Sequence, residues 1–118
     1  MLRRLIKSFG YAFSGLQEAV KGHSFRVMVM MVIGVCFLGI ILKISLFEWA
    51  MLILSMGLVL TLEIINTAWE RSFDYLRPEI NPIVKTAKDL VAAAVLLASL
   101  TALIVGFLIF LPKILEIF

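Results

Sequence analysis

The sequence has few charged residues for its length and a large excess of apolar ones. Charged residues make up 16% of the 118 positions and hydrophobic residues 63%, against roughly 45–50% apolar residues in an average soluble domain. This composition argues against an ordinary soluble globular domain, because much of the surface of such a domain would then be apolar. The mean hydropathy of +1.10 indicates that this surface meets lipid instead.

Other absences narrow the class of protein further. The single cysteine, Cys36, lies in an apolar run, where a thiol behaves as a small hydrophobe, so neither a disulfide nor a metal site is inferred from it. The absence of a glycine-rich GxxxxGK loop argues against a conventional nucleotide-binding fold. Basic residues flank apolar runs and are not interleaved with aromatic side chains, so no nucleic-acid partner is predicted. The basic start of the chain lacks the apolar stretch of a signal peptide, so we expect no cleavage there.

Apolar runs predict three membrane-spanning helices in a single domain, residues 1–118. The first span covers 27–42, the second covers 46–74 with a cytoplasmic extension, and the third lies within 85–111. Residues 2–21 place apolar side chains at helical spacing with polar ones largely opposite, which is typical of a helix on a membrane surface. The predicted fold is therefore all-α and integral to the membrane, with an amphipathic N-terminal surface helix followed by three transmembrane helices.

The distribution of basic residues predicts the orientation of these helices. Nine of the eleven lysines and arginines precede the first apolar run or lie between the second and the third. Cytoplasmic segments of membrane proteins are enriched in lysine and arginine. We therefore expect the N-terminus to be cytoplasmic, together with a loop from Tyr75 to Pro82, where Asn81 and Pro82 break the helical pattern.

A polar stripe occupies the cytoplasmic half of the second span. Its members, spaced three, four and four residues apart, are Glu63, Asn66, Glu70 and Asp74. This spacing places them within an arc of about 80° on one helix face. A carboxylate at the edge of the hydrocarbon is costly unless it is paired, hydrated or bound to a cation. The stripe therefore predicts either mutual pairing with nearby bases or a functional site.

The next helix brings further charged groups to the same depth, namely Lys85, Lys88 and Asp89. Carboxylates that hold a hard cation, an ammonium group that faces phosphate and a carboxylate that accepts a proton are the components of phosphoryl transfer. These residue types in this arrangement favour a phosphoryl-transfer site at the cytoplasmic boundary.

Two ordered motifs, residues 63–74 and 85–96, resemble the signatures of the bacterial diacylglycerol kinase and undecaprenol kinase family. The resemblance covers nearly the whole chain, because residues 9–16 are similar to the N-terminal helix of that family and residues 24–26 to the start of its first span. It implies a homotrimeric kinase of the bacterial cytoplasmic (inner) membrane with active sites shared between subunits. The reaction implied is transfer of the γ-phosphate of ATP, with Mg²⁺, to a lipid hydroxyl at the cytoplasmic surface.

The resemblance also implies a role for each matching position. Glu63 would be the general base that takes the proton of the lipid hydroxyl, Asn66 would orient the reacting groups, and Glu70 would bind Mg²⁺. The residues expected to contact the nucleotide are Arg4, Tyr11, Asp74, Lys88 and Asp89.

The chain departs from the family pattern at Gly22, where a second metal-binding glutamate is usual. Met28 likewise replaces a polar residue. His23 adjoins the changed position, but imidazole suits magnesium poorly, so it is not assigned to the metal. Bound water could complete the coordination of magnesium. The alternative to an active lipid kinase is therefore a catalytically weak or inactive relative that acts as a membrane scaffold or a lipid- or nucleotide-binding protein.

Two partners are expected, a lipid acceptor and further copies of the chain. The run Ala92–Ala94 and the triplet Asn66–Ala68 are slightly more similar to undecaprenol kinases, but diacylglycerol stays open as the acceptor. Ala94, Ala98 and Ala102 recur every four residues and form a stripe that lets helices approach closely, without fixing how many helices meet.

Overall fold

Four α-helices make up the fold in the computed structural model, which describes residues 1–76, 79 and 81–118. The helices are α1 (Leu2–Val20), α2 (His23–Ile41), α3 (Leu46–Tyr75) and α4 (Pro82–Ile117). No β-strand occurs among the described residues, so the all-α expectation is confirmed. The predicted loop from Tyr75 to Pro82 is shorter than expected at both ends, because Tyr75 is the last residue of α3 and Pro82 the first of α4; residues 77, 78 and 80 lie outside the described residues.

Three of the helices are long and apolar enough to cross a membrane. They are α2, α3 and α4, with 19, 30 and 36 residues. At roughly 1.5 Å per residue even the shortest is close to the roughly 30 Å thickness of the hydrocarbon core. Only 11% to 17% of the residues in their most apolar windows are buried within the chain. The remaining apolar surface therefore requires lipid or another copy of the chain.

The turn between α2 and α3 is closed by interactions of Glu48. Its backbone N–H donates to Oγ of Ser45 at 3.1 Å, and its Oε1 accepts from the backbone N–H of Ser45 at 2.9 Å. This reciprocal capping box satisfies two donors at the start of α3. The same carboxylate lies 3.3 Å from Nζ of Lys113 near the end of α4. The start of α3 is thereby tied to the end of α4.

The long helix α4 is longer at both ends than the predicted segment 85–111. Asn81 caps its start, because Oδ1 accepts a hydrogen bond from the N–H of Ile83 at 3.0 Å. Pro112 lies inside the helix and does not end it. Proline removes one intrahelical donor, but the adjoining Ile109 and Phe110 are buried in the core, and this packing holds the last turns in helical form.

The core joins α3 and α4 at the end remote from the polar stripe. Its buried members are Ile44, Leu52, Met56, Ile109 and Phe110. Antiparallel packing at this end places the other halves of α3 and α4 side by side, and residues 63–74 therefore lie along the first turns of α4.

Candidate active site

The site is centred on two buried polar side chains of α3. Glu63 is 6% exposed and Asn66 8%, although neighbouring positions on the helix are more open. Among the described residues, no lysine or arginine nitrogen lies within ion-pair distance of the Glu63 carboxylate. A buried carboxylate without a basic partner is costly, and such groups in membrane helices mark functional sites.

The two polar atoms of the Asn66 amide have different surroundings. Its Nδ2 donates a hydrogen bond to Oε1 of Glu70 at 3.4 Å, one turn along α3. Its Oδ1 is buried and has no hydrogen-bond partner among the residues that the structure describes. Because a buried acceptor without a donor costs free energy, Oδ1 is available to a donor from outside the chain. Asn66 can thus orient Glu70 through Nδ2 and accept a hydrogen bond from an O–H or N–H group through Oδ1.

The more exposed end of the polar stripe reaches the next helix. Nζ of Lys88 on α4 lies 2.9 Å from Oδ1 of Asp74 on α3. Nζ of Lys85 lies 2.7 Å from Oδ2 of Asp89, one turn along α4. The structure therefore brings the two charged segments together through Lys88 and Asp74, while Asp89 pairs within its own helix.

The two nucleotide contacts predicted on α1 are not brought to the stripe. Arg4 and Tyr11 have exposed side chains, and Tyr11 is 74% exposed. Arg4 lines a basic surface cavity with Arg3 and Lys7 at the start of the helix. Within the described part of a single chain, neither Arg4 nor Tyr11 has a side-chain hydrogen bond or ion pair with another predicted site residue.

The metal site implied by the family resemblance would have few protein ligands in this chain. Among the described residues, no group of three or more histidine, cysteine, aspartate or glutamate side chains is arranged to hold a metal ion. Gly22 is the N-cap of α2 and supplies no side-chain ligand. Magnesium, however, is commonly bound by one or two carboxylates together with substrate phosphates and water. The half-buried carboxylate of Glu70 fits that requirement as the protein ligand.

Two contacts near the site were missed by sequence reasoning. Nη1 of Arg71 on α3 lies 3.1 Å from Oε2 of Glu18 on α1. The rings of Trp69 and Phe73 stack with centroids 5.1 Å apart. The stacked rings are four residues apart, a spacing that could have indicated contact. No periodicity in the sequence could have indicated the Glu18–Arg71 pair, whose members are 53 residues apart.

Polar groups buried among membrane-crossing helices define an integral membrane protein with a site built into the helices themselves. The family model described as prokaryotic diacylglycerol kinase matches residues 10–110 of this chain. This chain therefore belongs to the prokaryotic diacylglycerol kinase family, and the resemblance of residues 63–74 and 85–96 is confirmed.

Individual relatives agree with this assignment. The chain is 34% identical over 113 residues to the undecaprenol kinase of Bacillus subtilis, with 95% of this chain and 92% of that protein covered. It is 33% identical over 96 residues to a diacylglycerol kinase of Helicobacter pylori, with 80% and 75% covered. It is also 33% identical over 102 residues to the diacylglycerol kinase of Escherichia coli K12, with 86% and 84% covered.

Proposed function

We propose that this protein is a lipid kinase that transfers the γ-phosphate of ATP to the hydroxyl group of undecaprenol or diacylglycerol. The reaction takes place at the cytoplasmic face of the bacterial inner membrane. Family membership supports this class of reaction, and the names of relatives include both acceptors. Because these relatives carry kinase names, a lipid kinase is favoured over a noncatalytic membrane protein.

The observation that carries the proposal is the buried carboxylate of Glu63, which has no basic partner among the described residues and lies one helical turn from the buried Oδ1 of Asn66. A general base must be ionised, within reach of its proton and screened from competing water. Glu63 lies in the apolar helix α3, at the depth where a lipid hydroxyl at the membrane boundary would enter. An acceptor alcohol can therefore reach Glu63 without leaving the membrane.

The reaction assigned to this site is a direct transfer. The carboxylate of Glu63 takes the proton of the lipid hydroxyl, the hydroxyl oxygen forms a bond to the γ-phosphorus, and the bond from that phosphorus to ADP breaks. The single hydroxyl proton goes to Glu63, so Asn66 would orient the reacting groups through Nδ2, which donates to Glu70, while its Oδ1 accepts from another donor at the site. Positioning of this kind is the main contribution that a protein makes to phosphoryl transfer.

The nucleotide would lie on the wetter side of the site. Lys88 would face its phosphates, and Asp74 and Asp89 would complete the contacts from α3 and α4. Lys88 is already held between the two helices by its ion pair with Asp74. Glu70 would be the protein ligand of Mg²⁺, which supplies charge neutralisation on the phosphates when bound.

The surface helix α1 is assigned to the cytoplasmic face of the membrane. Its apolar residues, including Phe9 and Phe13, are exposed within the chain, and its basic residues include Arg4 and Lys7. A helix with these two kinds of side chain binds at the boundary between lipid and water. From there Arg4 and Tyr11 would cover the nucleotide.

A homotrimer is proposed as the working assembly, with active sites shared between subunits. An apolar groove of about 410 Å³ opens between α2, α3 and α4. Ala102 and Gly106 are among the small residues that line it, and small residues let helices of neighbouring subunits approach closely. Shared sites would also explain why Arg4 and Tyr11 do not reach the stripe within one chain.

Lipid phosphorylation by the purified protein tests the function. The full chain in lipid bicelles would be incubated with labelled ATP and Mg²⁺, with undecaprenol or diacylglycerol supplied separately as acceptor. We expect labelled lipid from at least one acceptor and its loss in Glu63→Gln, while ATP binding and helical content are kept. Glu116→Gln removes an exposed carboxylate near the end of α4 and serves as the matched control.

Two results would count against the proposal. A folded, ATP-exposed protein that labels neither acceptor would overturn the lipid kinase function. A Glu63→Gln variant that keeps a near-normal rate would remove Glu63 from the role of general base.

A further inference from the structure

Helix α1 is barely anchored to the rest of the chain. All of its residues are exposed except Ala19. The ion pair between Glu18 and Arg71 joins its last turn to α3, with Oε2 and Nη1 3.1 Å apart. Among the described residues, no other ion pair connects α1 to another helix. Within the described part of the chain, this contact is therefore the one ion pair that can fix the position of α1 relative to α3.

A second cation, Lys21, also contacts the Glu18 carboxylate. Nζ of Lys21, just beyond the helix end, lies 2.8 Å from its other oxygen, Oε1. The hydrogen bond from Lys21, followed by that from Arg71, holds the pKa of the Glu18 carboxyl below its ordinary value. Glu18 is therefore ionised at neutral pH and can attract the guanidinium group of Arg71.

The placement of this pair connects α1 to the active site. Arg71 directly follows Glu70, the proposed magnesium ligand, on α3. Glu18 lies four residues before Gly22, the N-cap of α2. This ion pair holds the C-terminal end of α1 against the segment of α3 that carries Glu70, and it limits the angles at which the rest of α1 can lie.

We propose that Glu18 and Arg71 are a positioning pair that holds α1 against α3 and thereby sets the location of Arg4 and Tyr11 over the nucleotide. The part concerning the nucleotide rests on the proposed kinase function, whereas the part concerning α1 does not. Glu18 and Arg71 touch neither substrate. Their loss affects nucleotide binding through the mobility of the helix.

Two readouts on the full-length protein in bicelles test the pair. Amide hydrogen exchange over residues 2–20 reports the anchoring of α1, and steady-state kinetics report KM for ATP and kcat separately. Glu18→Gln and Arg71→Gln are each expected to raise both the α1 exchange rate and KM by about two- to fivefold, the range expected of an exposed ion pair. Because the chemical groups are untouched, kcat should stay within about twofold.

Further variants separate an ion pair from other effects. The double variant Glu18→Gln, Arg71→Gln should be no worse than either single variant, because both remove the same interaction. Arg71→Lys keeps the positive charge and should remain close to wild type. Lys21→Gln, which removes the local partner of Glu18 and leaves the link between helices, should leave α1 exchange unchanged.

The possible results show separately whether the positioning pair fails and whether the proposed kinase function fails. Unchanged α1 exchange in both single variants, or additive effects in the double variant, would overturn the positioning pair. If the wild-type protein phosphorylates no lipid, the kinase function fails, and the exchange data alone then decide whether the pair holds α1.

Discussion

Asn66 donates a hydrogen bond from Nδ2 to Oε1 of Glu70 at 3.4 Å, while its own buried Oδ1 has no partner in the described part of the chain. Asn66 therefore lies between Glu63, the proposed general base, and Glu70, the proposed metal ligand. Its Oδ1 can accept a hydrogen bond from a substrate. A buried acceptor left unpaired weakens the fold, which is consistent with a group retained for binding a substrate.

Replacement of Asn66 by leucine should separate activity from stability. Loss of an orienting group in the reaction is expected to reduce kcat/KM about 100-fold. The thermal midpoint of unfolding should stay equal or rise, because an unpaired buried polar atom is replaced by an apolar side chain of similar size. Lipid phosphorylation rates and thermal unfolding in the same detergent provide the measurements.

Ser72→Ala is the matched control for Asn66→Leu. Its hydroxyl donates only to the carbonyl of Ala68 on the same helix and is exposed, so we expect a near-normal rate. A strongly destabilised Asn66→Leu variant would show that Asn66 has a structural rather than a functional role.

Lys88 and Lys85 offer a comparison between two lysines on one helix. Each is paired with an aspartate, at 2.9 Å for Lys88 and 2.7 Å for Lys85, but only Lys88 is proposed to face the phosphates. Lys88→Met is expected to raise KM for ATP about tenfold, equivalent to roughly 1.4 kcal/mol. Lys85→Met should change it little. Equal effects of both variants on KM would indicate general attraction of the nucleotide by positive charge.

The sequence allowed the polar stripe to be predicted because no helix breaker interrupts residues 63–74, so helical spacing alone determines which side chains share a face. The burial of Glu63 could not be predicted, since it depends on which surfaces of α3 and α4 meet. The Glu18–Arg71 pair joins helices that are far apart in the sequence. Contacts of this kind depend on tertiary packing, which a periodic pattern does not encode.

Gly39 provides a test of the packing at the opposite end of the bundle. An added Cβ there would lie 2.8 Å from Cη2 and 2.9 Å from Cζ2 of Trp49. Gly39→Ala is therefore expected to lower the free energy of unfolding by about 1–3 kcal/mol, as measured by denaturation in micelles.

Two further variants test whether the clash with Trp49 causes the loss of stability in Gly39→Ala. Gly34→Ala on the same helix has no heavy atom within 4 Å of the added Cβ, so it should be neutral or stabilising. Combining Gly39→Ala with Trp49→Phe removes the crowded ring atoms and should recover part of the lost stability. If Gly34→Ala is as destabilising as Gly39→Ala, the clash with Trp49 is not the reason.

Gly22→Glu should reduce the magnesium requirement of the kinase, because it restores a carboxylate where the family pattern has one. The backbone there, with φ −76° and ψ 135°, is an extended conformation that glutamate adopts readily. The new Cβ would lie 3.3 Å from the carbonyl oxygen of Ala19, which requires only a small adjustment. We expect the Mg²⁺ concentration for half-maximal rate to fall by about threefold or more, since an added carboxylate strengthens binding of a hard cation. Gly22→Gln, of equal size and without charge, should not lower it, and a similar fall in both variants would attribute the change to the loss of glycine instead of to metal binding.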